Sequence, residues 1–440
     1  MNTGLTVLDK TGHTWGVNSS YGVFLAHYLA TNTYPGATPL EYAFIGGLSI
    51  STCQAVSPIA TICVRKYGTQ ITMAFGIFFE TAALLGASWS TEIWQLFLAQ
   101  GVCFGLGMGF LFIASVGLCP QWFAKRRSFA NSIAAAGSGL GGLIYSLATQ
   151  AMIQSVGLGW AFRILAIVTF AVNGVCAILV RDRNVAIGSI HEAFALRLLK
   201  RPEFLLLLGW GFFSLIGYVV LLFSLPNYAT SIGLTPQQGS VVGALLNLGQ
   251  GIGRPFVGYF SDAAGRMNIA LLGTFVTGFF CFVIWIFAKS YGVMIFFSLI
   301  VGAFAGTYWT TISVISAEVV GLQLLPSALS LVWISLIIPS TVAEPIGLQL
   351  KVRTGNIYLH AQVFTAMMYI AAAICLWFLR AWKISELEAI ANDDTKKSEA
   401  EIKDDDLVPH GPVLIRTRTG AASVKSKVKA AKGLWAWQRV

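Results

Sequence analysis

The sequence predicts an all-α membrane protein of twelve transmembrane helices in two six-helix bundles, and three observations predict it. First, 56% of the 440 residues are hydrophobic and 11% are charged, against about 45–50% and about 25% in an ordinary soluble domain. Second, runs long and apolar enough to cross a bilayer recur twelve times. Third, Lys and Arg collect in alternate loops between them. Of the 48 charges, 20 follow Trp382, leaving 28 for the first 382 residues. A soluble globular body is therefore excluded.

A helix crosses roughly 30 Å of hydrocarbon with about 20 apolar residues. The runs fall at 15–30, 42–62, 71–88, 93–118, 128–152, 160–180, 203–225, 240–260, 268–288, 292–317, 324–348 and 358–380. Each must be helical, because hydrocarbon leaves no partner for free backbone groups. The first run is short, with Asp9 and Lys10 close before it. Either that helix begins late and is shielded by its neighbours, or the chain lacks the first turns of an originally longer protein; the second reading is preferred. No cleavable signal peptide is visible in residues 1–14.

Loops after even-numbered runs carry Arg65, Lys66, Lys125, Arg126, Arg127, Arg181, Arg183, Arg197, Lys200, Arg201 and Arg266, while the opposite loops carry only Lys289, Lys351 and Arg353. Lys and Arg in short loops stay cytoplasmic, so both termini are expected inside. The expected organisation is a cytoplasmic N-terminus (1–14), a first bundle (15–180), a central cytoplasmic loop (181–202), a second bundle (203–382) and a disordered cytoplasmic tail (383–440). The plasma membrane is favoured over the vacuolar or another internal membrane. The tail is acidic near Asp404 to Asp406 and basic from Arg416 to Arg439, and its basic end suits anionic lipid at most.

The net charge of +10 does not indicate nucleic acid, because the bases sit in short loops between apolar runs. Seven cysteines show neither paired disulfide spacing nor a Cys-x-x-Cys pair. There is no Walker-type phosphate loop, metal-ligand cluster or nucleophile–His–acid set. An enzyme and an ATP-driven pump are thereby disfavoured, and no cofactor is expected. The expected partners are a small-molecule substrate and the bilayer; oligomeric state stays open.

The loop after run 8 reads Gly258-Tyr-Phe-Ser-Asp262-Ala-Ala-Gly265-Arg266. A carboxylate at Asp262 can accept from a neighbouring helix N-terminus and pair with Arg266, clamping one side shut. The equivalent loop after run 2 has Arg65 where Asp262 would stand, if Gly68 is set against Gly265. The G-x-x-x-D-x-x-G-R spacing resembles the loop signature of the major facilitator superfamily. The resemblance implies the major facilitator fold, with a substrate site near the midplane between two rocking halves.

A narrower resemblance rests on Pro120-Gln-Trp-Phe-Ala-Lys125-Arg126-Arg127, on Ala136-Gly-Ser-Gly-Leu-Gly-Gly142, on Gly253-Arg254-Pro255 and on Trp15-Gly-Val-Asn18-Ser-Ser-Tyr21-Gly22. Together these resemble the monocarboxylate-porter family, in particular its fungal branch with riboflavin-transporter-like members, over residues 15–382. Two departures stand out. Proton-coupled members place a carboxylate one turn before the run-8 arginine and a lysine in run 1; here those positions hold Gln250 and Asn18. Amides do not titrate, so proton coupling by that route is in doubt.

Ionisable groups within spans are costly and mark candidate sites. Arg254 can attract an anionic substrate or anchor the cytoplasmic loop. Glu344, followed by Pro345, is a possible proton site. Arg163 suits snorkelling, and Glu80 and His27 suit packing. Gln250, Asn18, Tyr21, Asn247, Tyr308 and Trp309 are the candidate substrate-binding residues, completed by Arg254. Gln54, Gln100 and Gln150 extend the neutral polar lining. Asp262, Arg266, Gly258, Gly265, Lys125, Arg126 and Arg127 form the candidate cytoplasmic gate. The expected function is alternating-access transport of a monocarboxylate-like anion or vitamin-like metabolite, the alternative being efflux of a fungal secondary metabolite made by a biosynthetic gene cluster.

Overall fold

A computed structural model describes residues 12–123, 125–352 and 356–405. Its helices are α1 (12–31, broken at Ser20), α2 (39–67), α3 (Thr69–Ser88), α4 (Ile93–Trp122), α5 (Arg127–Val156) and α6 (Leu158–Leu179) in the first bundle. The second bundle holds α7 (Pro202–Ser231), α8 (Pro236–Ala264), α9 (Arg266–Phe287), α10 (Tyr291–Val320), α11 (Leu325–Gln349) and α12 (Leu359–Asp405). No strand occurs among the described residues. Nine of these helices are long and apolar enough to span a bilayer, and α2, bent by 42° at Val56, makes a tenth. The bend precedes Pro58, whose ring cannot donate to the helical ladder. The remaining two are α1, which is short and broken, and α8, which carries polar groups on one face.

Local chemistry sets the boundaries. Thr38 and Glu41 form a capping box that starts α2, and Thr235 and Gln238 form one that starts α8. Single glycines turn the chain between helices on the basic side: Gly68 at φ +85° between α2 and α3, and Gly265 at φ +105° between α8 and α9. Only glycine adopts this backbone without strain. Phe24, Tyr28, Tyr42 and Phe162 fill the first bundle's core, and Trp210, Met267, Ile315 and Leu376 fill the second's. Phe78, Ile167, Phe170, Ile178 and Phe256 point outward and are exposed. Such an apolar exterior is a liability in water and the natural contact with lipid tails.

One expectation is corrected. The chain does not become disordered at Lys383, since α12 continues to Asp405. The segment contains no proline or glycine, and Lys383 pairs with Glu386 one turn on at 2.7 Å. Residues 1–11, Arg353 and the tail beyond residue 405 lie outside the described residues, and with them most of the expected N-terminal segment and the basic stretch from Arg416 to Arg439; residues 12–14 already belong to α1.

Candidate functional site

The two bundles face each other across a cavity lined by α1 (Trp15, Ser19), α2 (Ile50), α4 (Phe112, Ser115), α5 (Asn131, Ser138), α7 (Tyr218, Phe223), α8 (Asn247, Gln250, Arg254) and α10 (Trp309). Its empty space is about 940 Å³ including its open mouth. Asn247, Gln250 and Arg254 lie three and four residues apart, so helical periodicity puts all three on one face of α8.

Arg254 is 3% exposed. One guanidinium nitrogen donates to Ala135 O at 2.6 Å and to Ser138 Oγ, both on α5, while the other donates to Gln250 Oε1 at 2.6 Å. Its Nε has no hydrogen-bond partner. No carboxylate lies within ion-pair distance of Arg254 among the described residues. A buried cation held only by neutral acceptors is expensive, and a bound anion would relieve it. Gln250 also accepts from Tyr218 at 3.0 Å and donates to Asn247 Oδ1 at 3.3 Å. An aromatic group lies alongside: Trp309 stacks on Trp333 with centroids 6.0 Å apart and meets Trp15 at 5.4 Å, and Phe112 sits 5.3 Å from Trp15. Flat, polarisable walls of this kind suit a planar ligand body.

The other expected lining residues are placed differently. Tyr308 turns away from the cavity into the second bundle, with its ring 5.0 Å from Trp210 and its edge against Gly211. Successive residues on a helix diverge by about 100°, so Trp309 and its neighbour cannot both face inward. Asn18 accepts from Ser49 at 3.0 Å, and Tyr21 donates to Tyr42 O at 2.6 Å, so both tie α1 to α2. Gln54 accepts from Ser340 at 2.9 Å, joining α2 to α11. Gln100 accepts from Tyr28 at 3.1 Å within the first bundle, and Gln150 is exposed. Glu344 is buried one turn beyond Ser340 and outside the cavity lining. Glu80 accepts from Asn173 at 2.8 Å. Arg163 lies over the rings of Trp89 and Trp160 at 4.9 and 5.0 Å, at the edge of the apolar belt.

On the basic-loop side, the Asp262 carboxylate accepts from the backbone N–H groups of Ser128 and Phe129 at 3.1 and 2.9 Å, at the N-terminus of α5. Arg266 pairs with Asp262 at 3.4 Å and with Glu318 at 2.5 Å. Arg127 lies within electrostatic reach of Asp262, Arg266 and Glu318, whereas Lys125 and Arg126 point outward. A Cβ on Gly258 would overlap the Ser132 side chain and stand 2.8 Å from Ser128 O, so the α8 backbone lies directly against α5 there. Asn131 donates to Thr310 O at 2.5 Å and accepts from Ser313 at 3.1 Å, joining α5 to α10 below the cavity.

Sequence reasoning did not name Asn131, Ser138, Tyr218, Phe112, Trp15, Trp333 and Glu318 as site residues, although Trp15 and Ser138 stand in the stretches that carry the family resemblance. Asn131, Ala134, Ala135 and Ser138 follow helical spacing and mark one face of α5, a signal legible in the sequence. The convergence of Trp15, Phe112, Trp309 and Trp333 has no such signal, since four separate helices supply them.

Two six-helix halves enclosing a polar cavity within an apolar exterior define a membrane transporter of small solutes. The chain belongs to the Major Facilitator Superfamily, whose family model matches residues 14–228 and 207–435. It is 37% identical over 382 residues to "Probable transporter MCH2" of Saccharomyces cerevisiae, covering 85% of this chain and 81% of that protein. It is 27% identical over 339 residues to "Fujikurins efflux protein" of Gibberella fujikuroi, covering 76% and 73%. The fold resembles the crystal structure of the E. coli fucose:proton symporter FucP, with TM-score 0.65 at 15% identity over 85% of this chain and 97% of that one.

Proposed function

We propose that this protein is a carrier for a small organic anion with a planar or amphipathic body, working by alternating access. The observation that supports this reading most is Arg254: a buried cation without a carboxylate partner among the described residues, at the wall of a cavity furnished with amides and aromatic rings. Monocarboxylate-like or vitamin-like metabolites fit that chemistry. Arg254, Gln250, Asn247 and Trp309 are the proposed substrate contacts, with Tyr218 added from the geometry. Asp262, Arg266, Gly258 and Gly265 are the proposed gate. Gln250 leaves the arginine without an adjacent titrating acid, which favours proton-independent transport; Glu344 is an acid through which protons could couple instead. The plasma membrane is the proposed location.

Export of a secondary metabolite is the second reading, favoured by the efflux-named relative from a filamentous fungus. Untargeted comparison of metabolites inside and outside cells with and without the gene separates the two. Uptake predicts depletion of one anion from the medium, and export predicts its accumulation within the deletion strain. Once that anion is known, Arg254→Ala should abolish its transport in proteoliposomes while membrane insertion is preserved; undiminished transport would remove Arg254 from the site.

A further inference from the structure

The loops α2–α3 and α8–α9 follow the second helix of their respective bundles, each closed by a glycine at positive φ, and the residue three positions before that glycine is Arg65 in one and Asp262 in the other. In the second bundle that residue is Asp262, and it holds the N-terminus of α5. By the same symmetry, the first bundle's loop should hold the N-terminus of α11. The residue there is Arg65, which is exposed, and a cation is repelled by the positive end of a helix dipole.

The central loop meets α11 instead. Ile190 N donates to Gln323 O at 2.8 Å, and Glu192 N donates to Ser327 Oγ at 2.8 Å. Ser327 Oγ donates in turn to Ile190 O at 2.7 Å, and Ser330 Oγ donates to Ala193 O at 2.9 Å. The same loop is fastened to the first bundle. Gln121 of α4 donates to Asn184 at 2.8 Å and accepts from Arg183 N at 3.0 Å, and Trp122 donates to Arg181 O at 3.1 Å. At the same level α2 reaches α11 directly, through Ser57 Oγ donating to Ser330 O at 2.9 Å. The loop therefore spans both bundles across the face that must part when the cavity opens on the basic side.

We infer that residues 190–193, hooked by Ser327 and Ser330, form the second half of the basic-side gate and stand in for the carboxylate that the α2–α3 loop lacks. The inference rests on the alternating-access reading. It makes Ser327 and Ser330 positioning residues for the closed state. The two halves of the gate differ in chemistry: one is a charged clamp on a helix terminus, and the other is a set of neutral hydrogen bonds to loop backbone.

The test uses full-length protein in lipid nanodiscs, with spin labels at Arg126 and Ala263, which are exposed on the α5–α8 side away from the strap. Replacing both hydroxyls, Ser327→Ala with Ser330→Ala, removes the three hydrogen bonds they make to the loop and should raise the long-distance population about tenfold. Asp262→Asn is the positive control. If Asp262→Asn opens the pair and the double variant leaves it as in the unaltered protein, the strap is refuted and the carrier reading stands. If neither changes it, alternating access itself is in question. Hydrogen exchange needs no serine variant: the amides of Ile190 and Glu192 should be protected in the unaltered protein and accelerate together with those of Ser128 and Phe129 in Asp262→Asn. Exchange at open-chain rates in the unaltered protein would overturn the inference.

Discussion

Arg254 is held in place by what its neighbours lack. Gly306 faces it: a Cβ there would lie 2.6 Å from the arginine Nε, so Gly306→Ala should push the guanidinium from its position. The expected result is a rise in KM for the transported anion of about tenfold, with expression and insertion unchanged; an unaltered KM would show that the guanidinium is not position-sensitive. Gln250 is the second control on the same charge. In Gln250→Glu a carboxylate would stand where Oε1 now meets Arg254 at 2.6 Å. Ionised, it would compete with the substrate for the guanidinium; protonated, it would not. Transport by this variant should therefore increase as pH falls, whereas the unaltered protein should respond weakly, and the pH profile of initial rates in proteoliposomes checks both. Arg254 and Gln250 were legible in the sequence because a charge and an amide stand out in an apolar run. Tyr308 was misplaced because sequence places adjacent aromatics in the same run without saying which one the helix turns inward.

Helix α8 shows the same logic at the scale of an element. Its cavity face costs it the hydropathy of an ordinary span, and its small residues let it press against α5. A Cβ at Gly139 of α5 would come 2.8 Å from Gly251 N, and one at Gly258 would come 2.8 Å from Ser128 O. Contact this close is the usual device for packing helices in lipid, where no hydrophobic drive pulls them together. Gly258→Val should hold α5 and α8 apart, shifting the Arg126/Ala263 label distance to longer values in nearly all molecules; a wild-type distribution would mean the helices repack around the added methyl groups. The glycines were visible in the sequence as spacing. Which helix each one approaches was not, because several neighbours offer equally small surfaces.

Among the described residues, the hydrogen bonds named here that join the two bundles lie at the midplane or on the basic-loop side, from Ser340 with Gln54 down to Asp262 with Ser128. The arrangement closes the passage on that side. If Lys and Arg fix that side as cytoplasmic, reporter fusions within residues 181–201 and after Asp405 should both read cytoplasmic, while a fusion near Lys289 should read on the opposite face. Reporters at the first two positions reading on different faces would break the even count of crossings per half.

The sequence by itself determined the number of helices, their division into two sets of six, the family signature and the presence of an arginine at position 254 within a span. All of these follow from hydropathy, charge and local spacing, which act along the chain. The tertiary structure decided which polar groups share a cavity, that Asp262 caps α5, and that the central loop reaches Ser327 and Ser330 of α11. These depend on distances between residues more than a hundred positions apart, and in lipid such distances are set by packing and hydrogen-bond satisfaction between helices that look alike one at a time.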